Sequence, residues 1–279
     1  MQIFKEIAPL KLHLQHKRKE GLLVGLVPTM GALHEGHLQL ILASKAATDI
    51  TVCSLYVNPT QFNNPTDLEK YPRTVEKDIA MLESAGCDVL FAPETSSMYE
   101  RPGILRFDFG QLDKVLEGEF RPGHFSGVAT VVSKLFHIVE PDDAFFGQKD
   151  YQQFQVVSKM VEELKFNLRL HSVPIVRESN GLAMSSRNQR LSEAEKKRAM
   201  ILHESLLYAK GKLIAGKPWT EVQKDIFERF NKTQDLQLEY FEFANRDDLT
   251  DTTNINIKNG ILLTACFVGS VRLIDNMLI

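Results

Sequence analysis

The sequence predicts a doubly wound parallel α/β sheet followed by a smaller α+β unit, and three observations carry that expectation. Short, continuous apolar runs occur where strands covered on both faces would lie. Stretches of helical periodicity separate these runs, as right-handed βαβ crossovers require. Beyond about Val176 the alternation stops, and strand patterns follow two helical ones.

Taken in order, LLVGLV from Leu22 to Val27 is the first strand and Ile50 to Val57 the second, with a helix over Leu38 to Ala47 between them. A helix over Arg73 to Ala85 leads to a third strand, DVLF, at Asp88 to Phe91. Phe125 to Val139 is apolar enough to be a buried helix and stops before Pro141, since proline cannot continue it. The strand-like DAFFG follows, then a helix from Asp150 to Leu164 and a strand from Leu168 to Val173. Ser192 and Glu195 have capping-box spacing and open a charged helix; a second helix surrounds Val222 to Phe230. Strands at Leu238 to Ala244, Gly260 to Val268 and Val271 to Leu278 complete the pattern. The polar stretch Arg177 to Asn188 reads as a hinge, which gives a Rossmann-like domain over residues 1–176 and an α+β domain over residues 177–279.

A chain of 279 residues accommodates one large domain or two, and 43% hydrophobic with 25% charged residues excludes a disordered or collagen-like chain. With 33 Lys plus Arg against 36 Asp plus Glu, the formal charge of -3 supplies no global field for nucleic acid or an anionic membrane. Cys53, Cys87 and Cys266 are too scattered for a disulfide framework or a zinc knuckle, which fits a reducing cytoplasm. No apolar run approaches the roughly 18 residues that span a bilayer, and the N-terminus reaches a Lys-Arg-Lys cluster after short apolar pieces. The expectation is a soluble cytoplasmic protein that binds neither nucleic acid nor membrane.

Three clusters carry possible chemistry. Pro28 to His37, PTMGALHEGH, stands where the first strand hands over to the first helix, the end at which open α/β sheets bind ligands. On a helix, His34 and His37 would lie about 60° apart on one face of the first turn, with Gly31 and Gly36 permitting close approach of a phosphate to free N–H groups. Zinc-binding helices place their histidines four apart, so the spacing of three argues against a metal site. The second cluster, Phe146 to Gln153, follows DAFFG; Lys149 suits phosphate oxygens and Asp150 ribose hydroxyls, although a Lys-Asp pair at a helix start also serves as a cap. The third, Met184-Ser185-Ser186-Arg187-Asn188, offers two hydroxyls beside a guanidinium, either a phosphate clamp or a polar surface loop. Two decoys fail: Gly211 to Lys217 has phosphate-loop spacing but is followed by Pro218 instead of Ser or Thr, and no two glycines are two residues apart, so a dinucleotide fingerprint is absent.

Together these clusters resemble the class I nucleotidylyltransferase superfamily, with His34-Glu35-Gly36-His37 as its His-x-Gly-His (HIGH) motif and Met184-Ser185-Ser186-Arg187 as a variant of its second loop. Within it, the chain resembles the pantothenate synthetase (pantoate–beta-alanine ligase) family. The likeness runs through YVNPTQF (56–62), YPRT (71–74), RPGHFSGVATVV (121–132), FGQKDYQQ (146–153), PIVRESNGLAMSSRN (174–188) and RLIDN (272–276).

The resemblance implies a cytoplasmic homodimeric ligase that joins (R)-pantoate to beta-alanine with ATP and Mg2+, through a pantoyl adenylate. It implies catalytic roles for His37, His34, Lys149 and Arg187, with ATP contacts from Met30, His34, His37, Gly147, Lys149, Asp150, Val176, Met184, Ser185, Ser186 and Arg187. Met30 would also pack beside the pantoyl group. Gln61 and Gln153 would hold pantoate, with Asn58, Tyr71, Arg121 and His124 shaping that pocket, and the second domain would supply a lid. No protein cage for the metal is implied. Gln148, where the family often has glutamate, and Gly269-Ser270-Val271, which lacks a basic residue common there, depart from the pattern. A different enzyme of the superfamily would need a basic acceptor pocket and would not need Gln61 and Gln153 together; a silent nucleotide-binding module would lose nothing on substitution of His37 or Lys149.

Overall fold

The computed structural model describes residues 1–101, 103–249 and 257–279. The first half of the chain runs β1 (Gln2–Phe4), α1 (Ile7–Lys19), β2 (Val24–Thr29), α2 (Glu35–Ala47), β3 (Ile50–Leu55), α3 (Pro65–Glu69), α4 (Val75–Ser84), β4 (Val89–Phe91), α5 (Thr95–Met98), α6 (Glu117–Phe120) and α7 (His124–Val139). It continues through β5 (Asp143–Gly147), α8 (Tyr151–Glu163), β6 (Arg169–Val173), α9 (Glu193–Ile214), α10 (Trp219–Asn231), β7 (Leu236–Asn245), β8 (Gly260–Val268) and β9 (Val271–Leu278).

The chain divides into two compact units: residues 1–148 with 153–174, and residues 149–152 with 175–279. The sequence suggests a single cut after 176, whereas Ile175, Val176 and the segment Lys149–Gln152 pack with the second unit. Such a grouping depends on contacts distant in sequence, which periodicity does not register.

In the first unit six parallel strands take the order β1-β4-β3-β2-β5-β6. Alternate residues of the strands face opposite ways. Leu26, Val52 and Phe91 join one core with Leu10 and Leu14 of α1, Phe136 of α7 and Met160 of α8. Val27, Cys53, Leu90 and Phe145 join another with Ile41 of α2 and Leu82 of α4. The sheet is thus covered on both faces, as its near-continuous apolar strands require. β1 and α1 lie in the N-terminal stretch for which the sequence reading assigns no element. Their traces are faint: β1 is a three-residue edge strand beside β4, and α1 shows only Leu10 and Leu14 as fully buried, four apart. The Lys-Arg-Lys cluster falls in the last turn of α1, where cations complement the helix dipole.

β2 begins two residues later than the apolar run and continues through Pro28, a residue that removes a donor and is normally excluded from a central strand. Its tolerance has a local cause. The Val24 carbonyl accepts from Asp142 on the β5 side and the Thr29 carbonyl from Tyr56 on the β3 side, so the alternation turns Pro28 toward β5. β2 pairs with β5 only at Gly25 and Leu26, however, and the ladder on that side has ended before Pro28.

The second unit carries an antiparallel sheet in the order β7-β8-β9. Its core joins Leu202 and Leu206 of α9 and Val222 and Ile226 of α10 to Phe241, Leu262 and Leu273. The capping box at the start of α9 is present: the Glu195 amide donates to Ser192 Oγ at 3.3 Å and the Ser192 amide to Glu195 Oε2 at 2.8 Å. The thiols of Cys53, Cys87 and Cys266 are free and buried. Burial pushes Cys87 up to about 11 and Cys266 to about 12, which leaves these two protonated and unreactive near neutrality.

α2 lies so close to β2 that a Cβ on Gly25 would overlap the Ser44 hydroxyl and sit 2.5 Å from Thr48 Oγ1. Ser44 cannot yield freely, because its hydroxyl is 2.9 Å from that of Thr51 in the buried layer. Gly25→Ala is therefore expected to destabilise the chain by about 1–3 kcal/mol, an overpacking cost read from the midpoint of urea unfolding.

Candidate active site

The turn after β2 is held by a buried carboxylate. Asp78 of α4, fully buried, accepts from the amides of Ala32 (Oδ2, 2.9 Å) and Leu33 (Oδ1, 2.8 Å) and from the Thr74 hydroxyl (3.1 Å). The backbone conformation needs such a hold, because Gly31 (φ 82°) and Ala32 (φ 49°) are both left-handed and alanine adopts that region only at a cost. Sequence reasoning passed over Asp78; its sole signal is an acid facing inward on an otherwise amphipathic helix.

Beyond the turn, His34 is the N-cap of α2 in an extended conformation (φ -145°), not a residue of the helical face as the spacing suggested. His37 lies within the first turn. The rings still meet, with centroids 4.0 Å apart. The His34 amide donates to His37 Nδ1 at 3.2 Å. A nitrogen that accepts cannot carry the proton of a neutral imidazole, so neutral His37 bears it on Nε2 and presents an N–H donor there.

Gln61, in the short turn Pro59–Gln61, is the centre of a second group in the same unit. Its Nε2 lies 3.0 Å from Met30 Sδ, its Oε1 accepts from Asn58 Nδ2 at 3.2 Å, and its backbone carbonyl is 2.8 Å from His124 Nδ1. Arg121 Nη1 lies 3.1 Å from His124 Nε2; guanidinium only donates, so Nε2 accepts and Nδ1–H donates to Gln61. Asn58 also donates to the Gly127 carbonyl and accepts from Thr60 Oγ1 and Tyr99 Oη. With both its donors and both its lone pairs engaged, Asn58 holds the Gln61 side chain in place. Tyr99, absent from the sequence reading, donates as a phenol, and burial pushes its pKa further up. Gly127 seats α7 on the turn: a Cβ there would run into the Thr60 carbonyl. Tyr71 is buried edge-on against Phe62, 5.7 Å between centroids, and Gln153 is half-buried in α8. Gly147 ends β5, the strand beside β2.

The remaining predicted residues belong to the second unit. Lys149 Nζ stands 3.9 Å from Asp150 Oδ1. The stretch Arg177 to Asn188 opens on a hairpin: Arg177 and Ala183 form an antiparallel bridge, and the Met184 amide donates to the Val176 carbonyl at 3.0 Å. Ser185 caps the turn Ser186–Arg190 by accepting from the Arg187 amide at 3.3 Å. Asn188 ties that turn back to the hairpin through the Glu178 carboxylate (2.7 Å) and the Ala183 carbonyl (3.1 Å). The structure thus gathers His34 with His37, Gln61 with Met30, Asn58, Arg121 and His124, and Met184 to Arg187 with Val176. Among the described residues no three His, Cys, Asp or Glu side chains gather as metal ligands, and no helix is long and apolar enough to cross a membrane.

Residues 2–278 match the family described as Pantoate-beta-alanine ligase. The pantothenate synthetase of Carboxydothermus hydrogenoformans is 44% identical, covering 100% of this chain and 99% of that protein. That of Aquifex aeolicus is also 44% identical, with 98% and 97% covered. Among solved structures, pantothenate synthetase from Thermus thermophilus superposes with a TM-score of 0.93 at 38% identity over 99% of both chains. Pantoate-beta-alanine ligase from Francisella tularensis, complexed with beta-gamma ATP and beta-alanine, does so with a TM-score of 0.82 at 33% identity over 100% of this chain and 97% of the other. With the fold, the ordered motifs and these relatives agreeing over its full length, the chain belongs to the pantoate–beta-alanine ligase family.

Proposed function

We propose that the chain condenses (R)-pantoate with beta-alanine, using ATP and releasing AMP and pyrophosphate. Family membership supports the reaction, and the observation that carries the site is the paired histidines at the end of β2, with His37 oriented by the His34 amide. A pantoate carboxylate oxygen attacks the α-phosphorus of ATP, the bond to the bridging oxygen breaks, and pyrophosphate leaves. The beta-alanine amine then attacks the carbonyl of the pantoyl adenylate, loses a proton, and expels AMP.

Neither step needs a nucleophilic side chain, so the protein's work is placement and charge stabilisation. His37 Nε2–H donates to the α-phosphate as negative charge builds on it, and His34 contributes beside it. Lys149 and Arg187 neutralise charge on the departing pyrophosphate, and the hydroxyls of Ser185 and Ser186 donate hydrogen bonds to it. Gly147, Asp150 and the backbone at Val176 and Met184 receive the nucleoside, with Met30 against the pantoyl group. Gln61 and Gln153 hold pantoate; each amide retains hydrogen-bonding capacity for a hydroxyl or a carboxylate. Arg121, His124, Asn58 and Tyr71 support that pocket. Mg2+ would enter with ATP, and its preference for hard oxygen ligands would ask few side chains of the protein. We further propose that residues 177–279 act as a lid that excludes water from the adenylate, and that the enzyme is a cytoplasmic homodimer.

Isotope exchange between pyrophosphate and ATP, run without beta-alanine, tests the reaction. The expected result is exchange that depends on (R)-pantoate; exchange that ignores pantoate, or requires another acid, overturns the reading. In the same assay His37→Ala and Lys149→Ala are each expected to lose about 10²–10³ in rate, the scale of one preorganised electrostatic contact. Gln61→Ala is expected to raise the KM for pantoate by about tenfold or more, the loss of one to two hydrogen bonds to a charged ligand, with the KM for ATP little changed.

A further inference from the structure

The motif RLIDN, Arg272 to Asn276, has no part in the reaction as proposed, although it lies on β9 in the interior of the second unit. We infer that Asp275 and Asn276 are positioning residues that set the hairpin bearing Ser185–Arg187 and the backbone of Lys149 in one fixed relation. The inference rests on the proposed ATP contacts of Lys149 and Arg187.

Asp275 and Asn276 are 4% and 2% exposed, so their polar groups must find partners within the protein. Asp275 binds Arg177 in bidentate fashion, Nη1 to Oδ2 at 2.6 Å and Nη2 to Oδ1 at 3.0 Å. A planar fork fixes direction as well as distance, which a lysine there would not do. The same Nη1 reaches across the hairpin to the Gly181 carbonyl at 3.1 Å. Gly181 is left-handed (φ 91°), and a Cβ on it would lie 2.6 Å from His203 Cδ2, so the tip is also seated on α9. Arg177 therefore anchors the hairpin at its base and at its turn, and Asn188 passes that anchorage on to Arg187.

The adjacent residue holds the other cation. Asn276 Nδ2 donates to the Lys149 carbonyl at 2.9 Å, and its own amide donates to Asp275 Oδ1 at 2.8 Å. Tyr151 Oη donates to the Arg246 carbonyl at 3.0 Å, a second tie close by. These bonds explain why Lys149–Gln152 pack with the second unit although they directly follow β5 of the first. The strand itself is fixed against β7 by Arg272 Nε on Glu239 Oε2 at 2.6 Å. Two consecutive residues thus govern both cationic segments, and a triphosphate meets them already spaced.

A merely stabilising role would lower the melting temperature and leave substrate parameters alone. The test is pantoate-dependent pyrophosphate exchange on the full chain with Asn276→Ala, Lys149→Ala and the double variant, and with Asp275→Asn, Arg187→Ala and their double variant. Asn276→Ala and Asp275→Asn are each expected to lower kcat/KM for ATP by about tenfold or more, with the KM for pantoate within about twofold of the parent. In the Lys149→Ala and Arg187→Ala backgrounds, respectively, the same changes are expected to cost less than about twofold, because the group they place is gone. Where Asn276→Ala does not yield folded protein, Asn276→Leu keeps the volume without the donor and is expected to give the same split. Equal losses in both backgrounds, unchanged ATP parameters, or a loss shared by pantoate overturn the inference alone. A fully active Lys149→Ala enzyme overturns the role of Lys149, and the inference falls with it.

Discussion

β2 and β5 part company after Leu26 and Ala144, and the rest of the first unit is arranged around that parting. To one side of β2 lie β3, β4 and β1; to the other lie β5 and β6, so the chain reverses direction across the sheet at this pair. Helices following two diverging strands leave a crevice at their carboxyl ends, which is where open parallel sheets bind ligands. Pro28 is admitted because the ladder it would break has already ended there. The turn that follows leaves the strand left-handed through Gly31 and Ala32, and the buried Asp78 carboxylate satisfies the amides that this conformation exposes. An isolated buried charge would be costly; three donors stabilise it and at the same time fix the approach of α2.

The hydrogen-bond network around Gln61 follows a similar logic. Arg121 sets the tautomer of His124, His124 secures the Gln61 backbone, and Asn58 holds its side chain while being held by Thr60 and Tyr99. Each member donates or accepts to the next, so the amide of Gln61 is presented in one orientation. Such a chain is effective only when complete, since a half-satisfied buried network costs more than it stabilises. The close seat of Gly127 under Thr60 serves the same end: side chains there would lift α7 away and slacken every bond in the chain.

Much of this architecture is legible in the sequence. DAFFG and Gly260 to Val268 are strands over the predicted residues, α7 differs from expectation by one residue at its start and α8 by one at each end, because runs of buried residues leave a strong periodic trace. The His-x-Gly-His turn and the Gln61 segment are readable as motifs, because chemistry fixes both residue type and spacing. What escapes is set by contacts remote in sequence. β1 has three residues and an edge position; Asp78 reads as an ordinary helix acid until its donors, more than forty positions away, are known. Lys149 belongs to the second unit through a bond to residue 276, 127 positions on, and no local pattern records that. Arg177 likewise has its carboxylate partner at the far end of the chain, where no local pattern records it.

The His34–His37 pair and the segments that carry Lys149 and Arg187 differ in electrostatic kind, and the difference is physical. In its neutral form His37 presents Nε2–H as a donor, because the nitrogen facing the His34 amide keeps its lone pair. A neutral donor stabilises developing charge without a counterion and without holding the product tightly once that charge has moved. Lys149 and Arg187 are full charges, and a full charge attracts over a distance but needs a fixed frame if it is to favour one arrangement of phosphates over others. In the second unit a bidentate guanidinium–carboxylate pair and an amide bond to main chain, both on β9, fix the segments they reach. The main chain of both segments is thereby held by planar groups with little freedom, so that the entropy of ordering it is lost on folding.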